Sequence, residues 1–168
     1  MWRKFLVLSI CSVSIITIFS LLYLKYGKAN KETYLPEFKF IDINKKWLNS
    51  GSLQNYKGYC IVLFNTDCEI CQAEEEIISR AKNIYKENCF ILLSPEPDSI
   101  IDAFISKHKL KSDNVFILSA PLDVIMQTFD GKSAPFVFIY NKNKKLIYKA
   151  NTSPLDVFMK CWDAGNKE

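Results

Sequence analysis

The chain has 168 residues, 49% of them hydrophobic and 24% charged, with a formal net charge of +4. That size holds one domain with a full core, so it excludes a small scaffold dependent on disulfide staples, and six irregularly spaced cysteines suit no such framework either. Arg3, Lys4 and Lys25 are the only charges in residues 1–25, which leaves the rest close to neutral; without a basic stripe interleaved with aromatics, nucleic-acid binding is not expected.

Phe5 to Leu24 is a run of 20 residues without a charge. As a helix it would span roughly 30 Å, the thickness of a bilayer's hydrocarbon core. With Arg3 and Lys4 before it, the run is expected to be a single-pass transmembrane helix with a cytoplasmic N-terminus. A cleaved signal peptide is the competing reading. The expected organisation is an anchor over 1–25, a tether over 26–34, one domain over 35–163 and a tail over 164–168.

Phe38 to Ile43 alternates weakly, Asn44-Lys45-Lys46 reads as a turn and Trp47-Leu48 follows, which suggests a β-hairpin. Asn49 to Gly58 is loop-like. Cys60 to Phe64 is short, apolar and partly β-branched, a buried strand. From Glu69 to about Lys86 the pattern is helical and sets Cys71, Glu74, Ile78, Ala81 and Tyr85 along one side, with Glu75 and Glu76 expected in solvent. Cys89 to Leu93 is a second strand, broken by Ser94-Pro95-Glu96-Pro97. Asp98 or Ser99 can cap a helix to about His108 with Ile100, Ile101, Phe104 and Ile105 inward. Val115 to Leu118 is a third strand, Pro121 to Phe129 a short helix, Phe136 to Tyr140 a fourth strand, and Leu146 to Tyr148 its antiparallel partner. Pro154 opens a last helix through Leu155, Phe158 and Trp162. The order ββ-βα-βα-βα-ββ-α gives an α/β class with helices on both faces of a central mixed sheet.

Chemistry concentrates at Cys68-Glu69-Ile70-Cys71, where a strand ends and a helix begins. The first N–H groups of a helix lack partners and its dipole is positive there, so a thiolate on Cys68 is stabilised and becomes a nucleophile. Cys71, one turn inside, can close a disulfide onto Cys68. This is a dithiol–disulfide exchange site, with Cys68 attacking and Cys71 resolving. Asp67 and Glu69 offset part of the dipole's effect, which favours a reducing couple. Glu74, three residues after Cys71 on an otherwise apolar face, can accept or return the Cys71 proton. Cys60 and Cys89 open central strands and read as core residues. Cys161 reads as core or a free thiol, and His108 as a solvated helix end.

With Leu35-Pro36-Glu37-Phe38 before the hairpin, the Cys68–Cys71 pair and Ala134-Pro135 before the fourth strand, the chain resembles the thioredoxin-like superfamily, and within it the membrane-anchored TlpA-like redoxins. The resemblance covers roughly Leu35 to Trp162. It implies a thioredoxin-like fold, a cis bond at Pro135 beside the cysteines, and a glutamate at position 74 that recurs in the family. Three positions depart from it. Asp67 stands where an aromatic is usual, Val62 where thioredoxins proper carry a buried aspartate, and Glu69-Ile70 where Gly-Pro or Pro-Pro is common.

The reading is a membrane-anchored thiol–disulfide oxidoreductase, with Cys68, Cys71, Glu74 and Pro135 as site residues. No cofactor is implied beyond a redox-active Cys68–Cys71 disulfide. The expected partners are protein disulfides or dithiols, an upstream protein electron donor and the membrane through residues 5–24. The expected place is the outer, periplasmic side of a bacterial cytoplasmic membrane. Two alternatives are weaker. A peroxiredoxin-like peroxidase needs a threonine where Asn65 stands. A Cu(I)-binding chaperone spaces its cysteines one residue wider and has its histidine after the proline rather than at His108.

Overall fold

The computed structural model describes residues 33–53, 56–130 and 133–151, together with Thr17, Val157, Lys160 and Trp162. The chain divides into two compact units, Met1–Glu32 and Thr33–Glu168, and every element below lies in the second. The strands are β1 (Lys39–Asp42), β2 (Trp47–Asn49), β3 (Gly58–Leu63), β4 (Cys89–Ser94), β5 (Val115–Ser119), β6 (Phe136–Asn141) and β7 (Leu146–Ala150). Between them run α1 (Glu69–Ile84), α2 (Asp98–Lys107) and α3 (Leu122–Phe129), and Val157, Lys160 and Trp162 are also helical. The expected helix residues Leu155 and Phe158, and Cys161, lie outside the described residues.

The strands form one sheet in the order β2-β1-β5-β4-β3-β6-β7. Its centre is parallel, β5 with β4 and β4 with β3, as the α1 and α2 crossovers require. The remaining pairings are antiparallel: β1 with β2 and with β5, and β6 with β3 and with β7. Every residue of β3, β4 and β6 is buried, which accounts for their unbroken apolar runs. The pleat sorts these side chains into two cores. Cys60, Val62, Phe90, Leu92, Val137 and Ile139 pack against α1 and α2 on one face. Tyr59, Ile61, Leu63, Cys89, Ile91 and Phe138 pack against α3 and the β1–β2 hairpin on the other.

Several local devices fix α1, the helix that presents the site. Asn114, buried beyond α2, donates to the carbonyls of Lys82, Tyr85 and Asn88 at 3.1, 3.2 and 3.1 Å, which satisfies acceptors left open at the helix end. Gly58 opens β3 where a β-carbon would run into the Trp162 indole. Trp162 is buried there and donates its ring N–H to the Tyr140 carbonyl at 3.2 Å.

Four expectations are corrected. Among the described residues no helix is long and apolar enough to cross a membrane. The longest, α1, has 16 residues, so it is shorter than the roughly 20 that a bilayer core needs, and it carries charges throughout. The transmembrane helix over residues 5–24, the anchored TlpA-like form, the membrane as partner and the single-pass periplasmic-side placement are therefore withdrawn. Apart from Thr17, residues 5–24 lie outside the described residues. A second correction concerns Glu75, which is not solvated but fully buried. A helix face broad enough to cover a sheet takes in both i+3 and i+4 from Cys71. Thirdly, Ile100 is exposed, and α2 buries Ile101, Phe104 and Ile105 alone. Finally, neither Asp98 nor Ser99 caps α2. Pro97 holds the cap position with φ −60° and ψ 144°, a conformation its ring favours, and no side-chain cap is made.

Candidate active site

β3 ends at Leu63, and the chain crosses Phe64 to Asp67 before α1 starts, which leaves Cys68 as the N-cap residue with extended backbone (φ −92°, ψ 115°). Serine or aspartate oxygens normally take the free N–H groups at such a position. Here the Cys68 sulfur does so, accepting from the Cys71 N–H at 3.3 Å. The Cys68 thiol is pulled below its ordinary value, first by the Cys71 side chain and then by the backbone N–H groups of Cys71 and Ile70. Partial burial and the Glu69 carboxylate push the other way without cancelling this.

Cys71 has the opposite environment. It is 0% exposed within the core under α1, where its sulfur accepts from the Asn65 N–H at 3.5 Å. Burial pushes its thiol up to about 12, with Cys68 and Glu75 adding to the rise. Two sulfurs one turn apart are thus shifted in opposite directions, Cys68 toward thiolate and Cys71 toward thiol.

The loop before Cys68 is clamped by a residue that the sequence marked only as part of a breaker. Glu96 accepts from the Thr66 N–H and hydroxyl, both at 2.9 Å, and from the Ser94 hydroxyl at 3.1 Å. Gln72 donates to the Thr66 carbonyl at 3.0 Å from the other side. Thr66 is therefore held on all its polar atoms, which fixes where α1 starts and where Cys68 points. A carboxylate between two prolines just past a strand end was the available signal for Glu96, but only the tertiary fold pairs it with Thr66.

Two acids lie beneath the dithiol. Glu74, expected beside Cys71, is 3% exposed, and Glu75 is 0% exposed with neither carboxyl oxygen hydrogen-bonded. Burial, and then the Glu74 charge, raise Glu75 to about 8. Val62 of β3 is apolar and shares this core. The acids near Cys71 thus come from the helix and not from the strand where thioredoxins proper place theirs.

Pro135 follows a cis peptide bond from Ala134, and Ala134 packs against the same core cluster as Cys68 and Cys71. A cleft of about 360 Å³ opens beside this bend, lined by Asn65, Leu93, Pro95, Leu122, Met126 and Ala134 among others. Ile70 and Leu122 are large apolar side chains left exposed. Cys60 and Cys89 sit on neighbouring strands but face opposite sides of the sheet, so the pleat separates them and both are free thiols raised by burial. His108 is half-buried and packs its ring at a tilt against Phe104, ring centroids 4.3 Å apart. Among the described residues no group of three or more His, Cys, Asp or Glu could hold a metal ion.

No family model matches the chain, and no curated protein matches it. Solved structures do. A thiol:disulfide interchange protein of the thioredoxin family from Chlorobium tepidum is 14% identical with a TM-score of 0.69, covering 81% of this chain and 97% of its own. A secreted disulfide oxidoreductase of Mycobacterium tuberculosis is 18% identical with a TM-score of 0.65, covering 76% and 95%. A SCO1/SenC family lipoprotein from Bacillus anthracis is likewise 18% identical at 0.65, covering 81% and 98%. Likeness at this level establishes the architecture: the domain has the thioredoxin-like α/β fold.

Proposed function

We propose that this protein is a thiol–disulfide oxidoreductase that exchanges disulfides with partner proteins through Cys68 and Cys71, working as a reductase. The observation that carries the reading is the opposed setting of the two sulfurs: Cys68 caps a helix N-terminus and is shifted toward thiolate, while Cys71 is buried and shifted toward thiol. The structural likeness to a disulfide oxidoreductase and a thiol:disulfide interchange protein, over 95% and 97% of their own lengths, supports it.

In the first step the Cys68 thiolate attacks one sulfur of a partner's disulfide. The partner's S–S bond breaks, a Cys68–partner mixed disulfide forms, and the other partner sulfur leaves as a thiolate that takes a proton. Cys71 then loses its proton, for which the buried Glu74, as its carboxylate, is the proposed acceptor, and attacks Cys68. The Cys68–Cys71 bond forms as the mixed disulfide breaks. The partner sulfur released in this step leaves as a thiolate and takes up a proton, so the partner has gained two electrons and two protons, one proton from Cys71 by way of Glu74 and one from solvent, and the pair is oxidised. A second dithiol protein returns it to the reduced state. The bend at Ala134-Pro135 and the exposed Ile70 border the place where the partner segment must lie.

The reducing direction is inferred from the acidic neighbour of Cys68. Glu69 counters the helix N–H groups, and a couple becomes strongly oxidising only when its thiolate is much favoured over the disulfide. Trapping tests the reading. Cys71→Ala, exposed to proteins bearing disulfides, is expected to accumulate a reductant-sensitive adduct through Cys68, and Cys68→Ser to accumulate none. Equal adduct formation by both variants would overturn the proposal.

A further inference from the structure

Glu75 is a buried ionisable side chain that neither the fold nor the proposed exchange uses. It follows Glu74 in α1 and sits one turn beyond Cys71, at the i+4 position where side chains on a helix are neighbours. It is completely buried, and both its oxygens lack a hydrogen-bond partner. An acid held this way is normally selected against, because burying a carboxylate without partners is costly and leucine or phenylalanine would fill the space. The ionisable groups whose charges interact with it are Glu74 and Cys71 on its own helix and Cys60 on β3. From the other elements of this core, β4 brings Phe90 and Leu92 and α2 brings Ile101, Phe104 and Ile105, all uncharged. His108, at the end of α2, is engaged with Phe104. Lys82, buried two turns further along α1, donates its ammonium to the Lys109 and Lys111 carbonyls, and no cation among the groups just named compensates a charge on Glu75, so its ionisation raises the cost of any second negative charge under α1.

We propose that Glu75 is a brake on the resolving half of the exchange: once its carboxyl ionises inside the core, its charge holds Cys71 as a thiol and slows closure of the Cys68–Cys71 disulfide. The proposal rests on the exchange reading above and adds a pH limit to it. Glu75 acts through Cys71, not on the partner, so it is a positioning residue for charge. While neutral it leaves the proton balance of resolution unchanged. Charged, it opposes formation of the Cys71 thiolate that must attack Cys68, and the mixed disulfide persists. The direction agrees with Glu75 being raised to about 8 and with its charge pushing the Cys71 thiol up.

A pH-jump on the full chain tests this. Cys68 is loaded with 5-thio-2-nitrobenzoate at low pH, where Cys71 is a thiol, and freed of excess reagent. After a jump to buffers from neutral to alkaline, Cys71 displaces the coloured thiol, and its release is timed. In the native chain the rate is expected to climb about tenfold per pH unit as thiolate forms, and then to flatten as pH passes about 8. Glu75→Gln is expected to keep climbing through that range and to outpace the native chain several-fold on the alkaline side. Glu75→Leu, which removes the charge with an apolar side chain, is expected to do the same and stands in if the glutamine variant does not fold. Superimposable profiles with normal release would overturn the brake and leave the exchange reading intact. If Cys68 takes up no reagent, the exchange reading fails and the brake with it.

Discussion

The two faces of the sheet are built on different terms. Under α3 and the hairpin the core is aromatic and apolar: Phe38 stacks on Phe40 with centroids 5.3 Å apart, and Phe129 packs against Phe38, Phe40 and Phe138. Its buried cysteine, Cys89, is only a small hydrophobe. Under α1 and α2 the core instead contains Cys71, Cys60 and two adjacent carboxyls. One face obeys the rule that buried groups are apolar or paired, and the other breaks it next to the dithiol. Departures from that rule cluster where a group's protonation matters, which is why the α1 face is read as the working side and the α3 face as the support.

The largest expected effect belongs to the working side. Cys68→Ser is expected to reduce insulin-disulfide reduction to the uncatalysed rate while leaving the thermal unfolding midpoint nearly unchanged. On the supporting side the outcome should invert. Phe129→Ala removes a ring from a packed aromatic cluster and is expected to cost about 3–5 kcal/mol of stability, measured by denaturant unfolding, with the Cys68 alkylation profile unmoved. If Phe129→Ala changed Cys68 reactivity while the fold persisted, the division between the faces would fail.

Glu75 gives the next largest effect, and its sign is opposite to that of a paired carboxylate. Its value rises from an unfolded level near 4.5 to about 8 in the fold. Between those limits the native state holds a proton that the unfolded chain has released, so stability falls as pH rises through that window and levels off above it. Glu75→Gln is expected to abolish this part of the slope and to be more stable than the native chain by a few kcal/mol at alkaline pH. Urea unfolding at several pH values reads this directly. A smaller effect is expected at the loop clamp. Glu96→Ala removes three acceptor contacts from a partly solvated site, which is expected to cost about 1–2 kcal/mol and to shift Cys68 reactivity several-fold, with Glu96→Gln intermediate.

Much of this architecture was legible in the chain itself, for local reasons. Continuous apolar runs at Cys60–Phe64 and Cys89–Leu93 read as buried strands once Gly, Pro and Asn bound them, and cysteines three apart pointed to the strand-to-helix junction where Cys68 caps α1 and Cys71 is buried. What escaped depended on partners distant in sequence. Glu75 looked solvated because it sits in an acidic triplet, and only the breadth of the sheet beneath α1 shows that positions 74 and 75 both point inward while Glu76 pairs with Arg80 outside. Lys82, also buried, needs the carbonyls of Lys109 and Lys111 from the loop after α2. Glu96 needs Thr66, thirty residues earlier. The uncharged run at residues 5–24 illustrates the opposite limit: length and hydropathy are necessary for a membrane span, but they do not establish one.

The most direct measurement is the rate of iodoacetamide labelling of each cysteine in the reduced chain as a function of pH, resolved by peptide mass spectrometry. Cys68 is expected to be labelled first, with a midpoint below the ordinary free-thiol value of about 8.5, while Cys71, Cys60 and Cys89 stay protected. A Cys68 midpoint at or above that value, or labelling of Cys71 ahead of it, would contradict the account.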